Sequence, residues 1–171
     1  VMETGAGAHL AYIGIGSNLG GPARQLSVAL DRLGAVDLVE IVGVSGLYRS
    51  APLGGIEQPD FLNAAAAICT GLDPQALLAE LKLIESDMGR DRSVRRWGPR
   101  AIDLDLLVYD AVTIESPGLT VPHAGIGERN FVLLPLRDLA PELVVPGLGP
   151  LRDWPVPGEP AIEKISDAPW Q

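Results

Sequence analysis

Arg95-Arg96-Trp97-Gly98-Pro99-Arg100-Ala101-Ile102-Asp103-Leu104-Asp105-Leu106-Leu107-Val108-Tyr109 is the stretch on which the reading of this chain turns. Its second half has strand character. Ile102, Leu104, Leu106 and Val108 recur at every second residue, so they are expected to share one face of a strand and enter a core. Asp103 and Asp105 then share the opposite face. Two carboxylates roughly 7 Å apart along that face can hold one hard divalent cation between them or one on each side. Just upstream, Arg90, Arg92, Arg95, Arg96 and Arg100 put five of the chain's thirteen Lys and Arg residues into one short segment. Carboxylates for Mg²⁺ beside guanidinium forks for phosphate suit a metal-bound polyphosphate. Either feature alone reads as solvated surface. Together, in a chain of net charge −9, they argue for local charge design.

The whole chain sets the bounds. Its 171 residues suit one domain, and 47% hydrophobic residues can fill a core. The expected organisation is a disordered tail over 1–9, a single domain over 10–158, and a C-terminal tail over 159–171, with the Pro- and Gly-rich stretch from Val144 wrapping the surface and then fraying. The acidic balance argues against broad nucleic-acid or anionic-membrane binding. Cys69, the single cysteine, lies in an apolar run and reads as a small buried hydrophobe. One thiol makes no internal disulfide, which suits a reducing, cytoplasmic compartment. The opening Val-Met-Glu-Thr-Gly-Ala-Gly-Ala has no basic region and no long apolar run, so no signal peptide is expected.

In chain order, Leu10 to Gly16 reads as a strand. Gly14, Gly16 and Gly20 imitate a dinucleotide fingerprint, but the spacing is wrong, and the favoured reading is a strand-to-helix turn with Pro22 near the first helical position. Leu26, Ala29, Leu30 and Leu33 follow helical spacing. Val36 to Tyr48 reads as one strand, and the breaker-rich loop Arg49 to Pro59 as a substrate lip. Phe61 to Thr70 reads as a strand buried on both faces, with Asn63 a polar intruder that needs partners. Asp73-Pro74 opens a helix that Gly89 stops after Met88. Glu85 sits poorly with the dipole of that helix and points to a cationic partner. After the Asp103/Asp105 strand come a turn, a short strand at Val112 to Glu115, and a helix from Arg129 to Leu139. The β-α-β-β-α-β order predicts a ferredoxin-like α+β sandwich.

Several segments together resemble the hydroxymethyl-dihydropterin pyrophosphokinase family. Arg96-Trp97-Gly98-Pro99-Arg100-x-x-Asp103-Leu104-Asp105-Leu106 is similar to its signature. Tyr12 to Leu19, Tyr48 to Gly54, Gln58 to Ala64, Leu119 to His123 and Arg129 to Phe131 are similar to other family segments, in the family's order. The resemblance implies a three-layer α/β/α sandwich with a mixed, largely antiparallel sheet. It implies transfer of pyrophosphate from ATP to the hydroxymethyl group of the dihydropterin, with release of AMP. Asp103 and Asp105 would bind two Mg²⁺ ions, and Asp103 would also face the substrate hydroxyl. Arg90, Arg92, Arg100, His123 and Arg129 would meet phosphates, Arg90 and Arg92 in a catalytic role. Glu85, Trp97, Leu106, Leu119 and Thr120 would line the nucleotide site. Ser50, Leu53, Phe61, Asn63 and Phe131 would hold the pterin, with Asn63 reading its hydrogen-bonding edge. The chain departs from the commonest pattern at Phe61, where many members have tyrosine, and at Lys82, Gly118 and Ala124. The expected partners are the two small substrates, with neither nucleic acid nor membrane, and the chain is expected to be a monomer.

Two other classes compete. A metal-dependent phosphodiesterase could use the same acids but would need more carboxylate or histidine ligands near Asp103. A non-enzymatic ferredoxin-like module could bind RNA through the Arg90 to Arg100 segment, but 5% aromatics and the acidic charge oppose it.

Overall fold

The computed structural model describes residues 8–89 and 101–170. Its elements are β1 (His9–Ser17), α1 (Pro22–Gly34), β2 (Val39–Val44), β3 (Leu47–Ser50), β4 (Phe61–Thr70), α2 (Pro74–Asp87) and β5 (Asp103–Tyr109), then β6 (Ile114–Ser116), β7 (Leu119–Val121), α3 (Asn130–Leu139), β8 (Val144–Val145), β9 (Gly149–Pro150) and β10 (Ile162–Ser166). The main sheet runs β10-β3-β4-β1-β5, with β2 also on β4. Every pairing among the described residues is antiparallel, so the sheet is less mixed than expected.

Helices cover both faces of the sheet. On one face, α1 and α2 bury Leu26, Leu33, Leu77 and Leu81 against Ile13 and Ile68. On the other, α3 buries Leu133 and Leu136 against Tyr12 and Leu107. The result is an α+β, three-layer α/β/α sandwich. α2 starts as its sequence dictates: Pro74 takes the first turn, and the Asp73 side chain accepts from the Ala76 N–H at 2.8 Å. Among the described residues no helix is long and apolar enough to cross a membrane.

Four local expectations change. Val108 does not share a face with Ile102, Leu104 and Leu106. Tyr12 pairs with Val108 and Ile13 with Leu106, which leaves Leu107 as an extra residue on β5. Such a bulge flips the alternation, so Leu107 and Val108 both join the core under α3. The strand expected over Val36 to Tyr48 breaks at Ser45-Gly46. Both halves lie on β4, β2 against Ala66 to Thr70 and β3 against Phe61 to Asn63. At the break Ser45 Oγ accepts from the Ala65 N–H at 2.8 Å, a role its carbonyl would otherwise fill. His9, assigned to the N-terminal tail, opens β1. In the stretch expected to fray, Ile162–Ser166 form an edge strand on β3, and the Trp170 indole N–H reaches the displaced Ser45 carbonyl at 2.9 Å.

Candidate active site

The sheet register builds the site. Gly16 on β1 pairs with Asn63 of β4 on one side and Asp103 of β5 on the other; Gly14 likewise stands between Ala65 and Asp105. Neighbouring strands lie about 4.8 Å apart, so the Asn63 amide and the Asp103 carboxylate flank a slot roughly 10 Å across with a glycine floor. A side chain on that floor would crowd its neighbours. A Cβ on Gly16 would lie 3.2 Å from Asn63 Oδ1, and one on Gly14 3.3 Å from Leu107 Cδ2. Gly14 and Gly16 thus lie inside β1, as the Leu10 to Gly16 strand expects, and their use is clearance, while Gly20 stands in the turn that follows. Paired strands and a glycine flanked by polar neighbours would have exposed this in the sequence, had the register been known.

The slot opens into a cavity of about 260 Å³. All six residues expected at the pterin, Ser50, Leu53, Phe61, Asn63, Asp103 and Phe131, line it, and Asp105 and Arg129 join them. Asn63 is 5% exposed, and its Nδ2 donates to Ser50 Oγ at 2.8 Å, which turns Oδ1 toward Gly16. The lip is tied down by Asn18, buried in the turn after β1, whose Nδ2 donates to Gln58 Oε1 and to the Pro59 carbonyl, both at 2.9 Å. Its neighbour Ser17 donates to the Ala101 carbonyl.

A second cavity, about 390 Å³, lies beside the first. Glu85, Leu106, Leu119, Thr120 and His123, all expected at the nucleotide, line it, together with Lys82, Gly118 and Ala124. Asp105 lines both cavities. Glu85 is buried and accepts the Leu104 N–H at 2.8 Å, which fixes the end of α2 to the start of β5. Of the remaining expected contacts, Arg129 lines the first cavity instead, and Arg90, Arg92, Trp97 and Arg100 lie outside the described residues.

His123 is placed by the β5 bulge, because its N–H donates to the carbonyl of Leu107 at 2.9 Å. The Gly125 N–H donates to His123 Nδ1 at 3.0 Å, so Nδ1 carries no proton and Nε2–H is the donor available to a ligand. Burial pushes the imidazole below its ordinary range. The charge of Arg129 adds to that, and Asp103 opposes it. Gly125 also makes room for Arg129: a Cβ there would lie 2.7 Å from Arg129 Nε. Sequence reasoning missed Gly125, since nothing in the sequence brings it under the arginine.

Among the described residues no group of three or more His, Cys, Asp and Glu could cage a cation. Asp103 and Asp105 are half-buried on one face, with a cavity on either side of Asp105. This donor set fits Mg²⁺, which binds through one or two carboxylates and keeps water and substrate phosphates as its other ligands.

Comparison with known proteins follows the same lines. A family model described as 7,8-dihydro-6-hydroxymethylpterin-pyrophosphokinase matches residues 12–141. The chain is 46% identical over 136 residues to a 2-amino-4-hydroxy-6-hydroxymethyldihydropteridine pyrophosphokinase of Haemophilus influenzae, covering 80% of this chain and 84% of that protein. It is 45% identical over 137 residues to the like-named protein of Methylorubrum extorquens, covering 80% and 86%. In fold it is similar to the crystal structure of Plasmodium falciparum HPPK-DHPS, with a TM-score of 0.68 at 17% identity over 85% of this chain and 42% of that one.

Proposed function

The chain belongs to the 7,8-dihydro-6-hydroxymethylpterin-pyrophosphokinase family, and on that premise we propose how its two cavities divide the work. It is an ATP-dependent diphosphotransferase of folate biosynthesis. It moves pyrophosphate from ATP to the hydroxymethyl group of 6-hydroxymethyl-7,8-dihydropterin and yields AMP and the pterin diphosphate.

In our reading the smaller cavity takes the pterin. Phe61 and Phe131 offer ring faces, and the Asn63 amide offers a donor–acceptor edge to a flat heterocycle. The larger cavity takes ATP, with Leu106, Leu119 and Thr120 along the nucleotide and His123 Nε2–H toward its phosphates, which Arg129 meets from the smaller cavity. Asp103 and Asp105 would hold two Mg²⁺ ions, which when bound supply positive charge to the phosphate oxygens. Asp103 also orients the substrate alcohol. Arg90, Arg92, Trp97 and Arg100 complete the nucleotide contacts in this reading. The protein's contribution is alignment and charge, since pyrophosphoryl transfer needs little covalent help. The single observation that carries the reading is Asp105 in the wall of both cavities.

A cytoplasmic monomer acting on small molecules, and on neither nucleic acid nor membrane, is the setting we propose. A net charge of −9 supports the exclusion of nucleic acid. A phosphodiesterase using the same acids is not favoured, because the described residues supply no third ligand beside them. AMP is expected only when Mg²⁺, ATP and the hydroxymethyl pterin are all present. Asp103→Ala and Asp105→Ala should each abolish its release while circular dichroism stays unchanged. Appearance of ADP in place of AMP would overturn the reading.

A further inference from the structure

Asn130, the first residue of α3, sits between two residues of the smaller cavity, Arg129 and Phe131, yet is itself 1% exposed and turned away from it. Its Nδ2 donates to two carbonyls of the C-terminal segment, Pro157 at 3.1 Å and Pro160 at 2.7 Å. The next carbonyl, that of Ala161, accepts from the Ala51 N–H at 2.9 Å, and Ile162 then pairs with Ser50 as β10 begins. Ser50 and Ala51 line the same cavity from the other side. One run of six residues, 157–162, thus joins both walls of the pocket, and a single amide holds its near end. The two carbonyls dictate the orientation of that amide, since only its NH₂ can face them. Stability alone would not favour the residue, for its Oδ1 is buried with no partner among the described residues. What the amide supplies is placement.

We propose that Asn130 is a positioning residue for pyrophosphoryl transfer: by clamping residues 157–162 it fixes the separation between the Arg129/Phe131 wall and the Ser50/Ala51 wall of the pterin pocket. The inference rests on the assignment of that pocket to the pterin. Asn130→Asp keeps the shape, removes both donors and sets a carboxylate against two carbonyl oxygens. Misplacement of the Ser50/Ala51 wall by about an ångström should weaken binding of the ring more than the step that follows, so KM for the pterin should rise about tenfold or more. The KM for ATP and kcat should stay within about threefold. Backbone hydrogen exchange should quicken at Ala51 and β10 while core amides of β1 and β4 keep their protection. A pterin KM within twofold or so of the parent would overturn the proposal, as would an equal loss in all kinetic parameters with exchange quickened throughout, the mark of a merely structural residue. If Asn130→Asp does not fold, Asn130→Ser, which retains one donor, carries the same expectation at about threefold. Phe61→Ala separates the two failures: an unchanged pterin KM in that variant would fell the pocket assignment itself, and a raised one leaves only the clamp at stake.

Discussion

His123 is held neutral by two independent features, a backbone N–H aimed at Nδ1 and an environment that disfavours its cation. Because its folded pKa lies below the ordinary value of about 6.5, the unfolded chain takes up a proton first as pH falls. The contribution of His123 to stability is therefore complete above about pH 6.5 and is lost as pH drops from there through the lowered folded value. Urea unfolding between pH 7.5 and 5.5 should show the parent losing stability faster than His123→Gln; parallel curves would remove this role. The imidazole should also serve phosphate as a neutral donor, so ATP affinity should not follow its protonation near neutrality. At Gly16 the question is space. A methyl group there would press on Asn63 Oδ1 from 3.2 Å, and the amide must shift to admit it. Gly16→Ala should lower kcat/KM for the pterin about tenfold, or ~1.4 kcal/mol, with thermal stability little changed. These residues were unevenly legible in the sequence. Asp103, Asp105, Asn63 and Phe61 stand in recognisable segments. Gly16 and Gly125 act through clearance beneath a neighbour that only register and loop geometry bring close.

At the scale of elements, sequence patterns located α2 and β4 because each carries its own signal: an Asp-Pro cap and a long apolar run. They failed where one element answers to another. The extra residue in β5 is set by pairing with β1, not by anything in Leu106-Leu107-Val108, and its carbonyl then anchors the His123 loop. The break between β2 and β3 is likewise set from outside. Gly46 is pinned by an Asp138 carboxylate at 2.9 Å, and any Cβ on it would lie 2.7 Å from the Ser166 carbonyl oxygen. The Ser45 carbonyl released by the break is met by Trp170. Trp170→Phe keeps the ring in its buried slot and removes the indole N–H that meets this carbonyl. Leaving a buried acceptor unpaired costs about 1–3 kcal/mol, so the melting temperature should fall by several degrees. An unchanged melting temperature would mean that the carbonyl finds another donor.

For the molecule as a whole, the sandwich was legible from element order, and its last strand was not. Ile162 and Ile165 are the only large apolar residues of β10, and an edge strand that borders one neighbour needs little more. Its Pro- and Gly-rich approach reads as a tail because proline carbonyls are taken by side chains such as Asn130, which no local pattern announces. The largest consequence of the architecture lies with Asp105, the carboxylate common to the two chambers. A shared wall turns two affinities into one linked quantity. Whatever occupancy on the nucleotide side does to the charge or tilt of that carboxylate, the ring on the far side must feel, and thermodynamic reciprocity returns the same factor in the opposite direction.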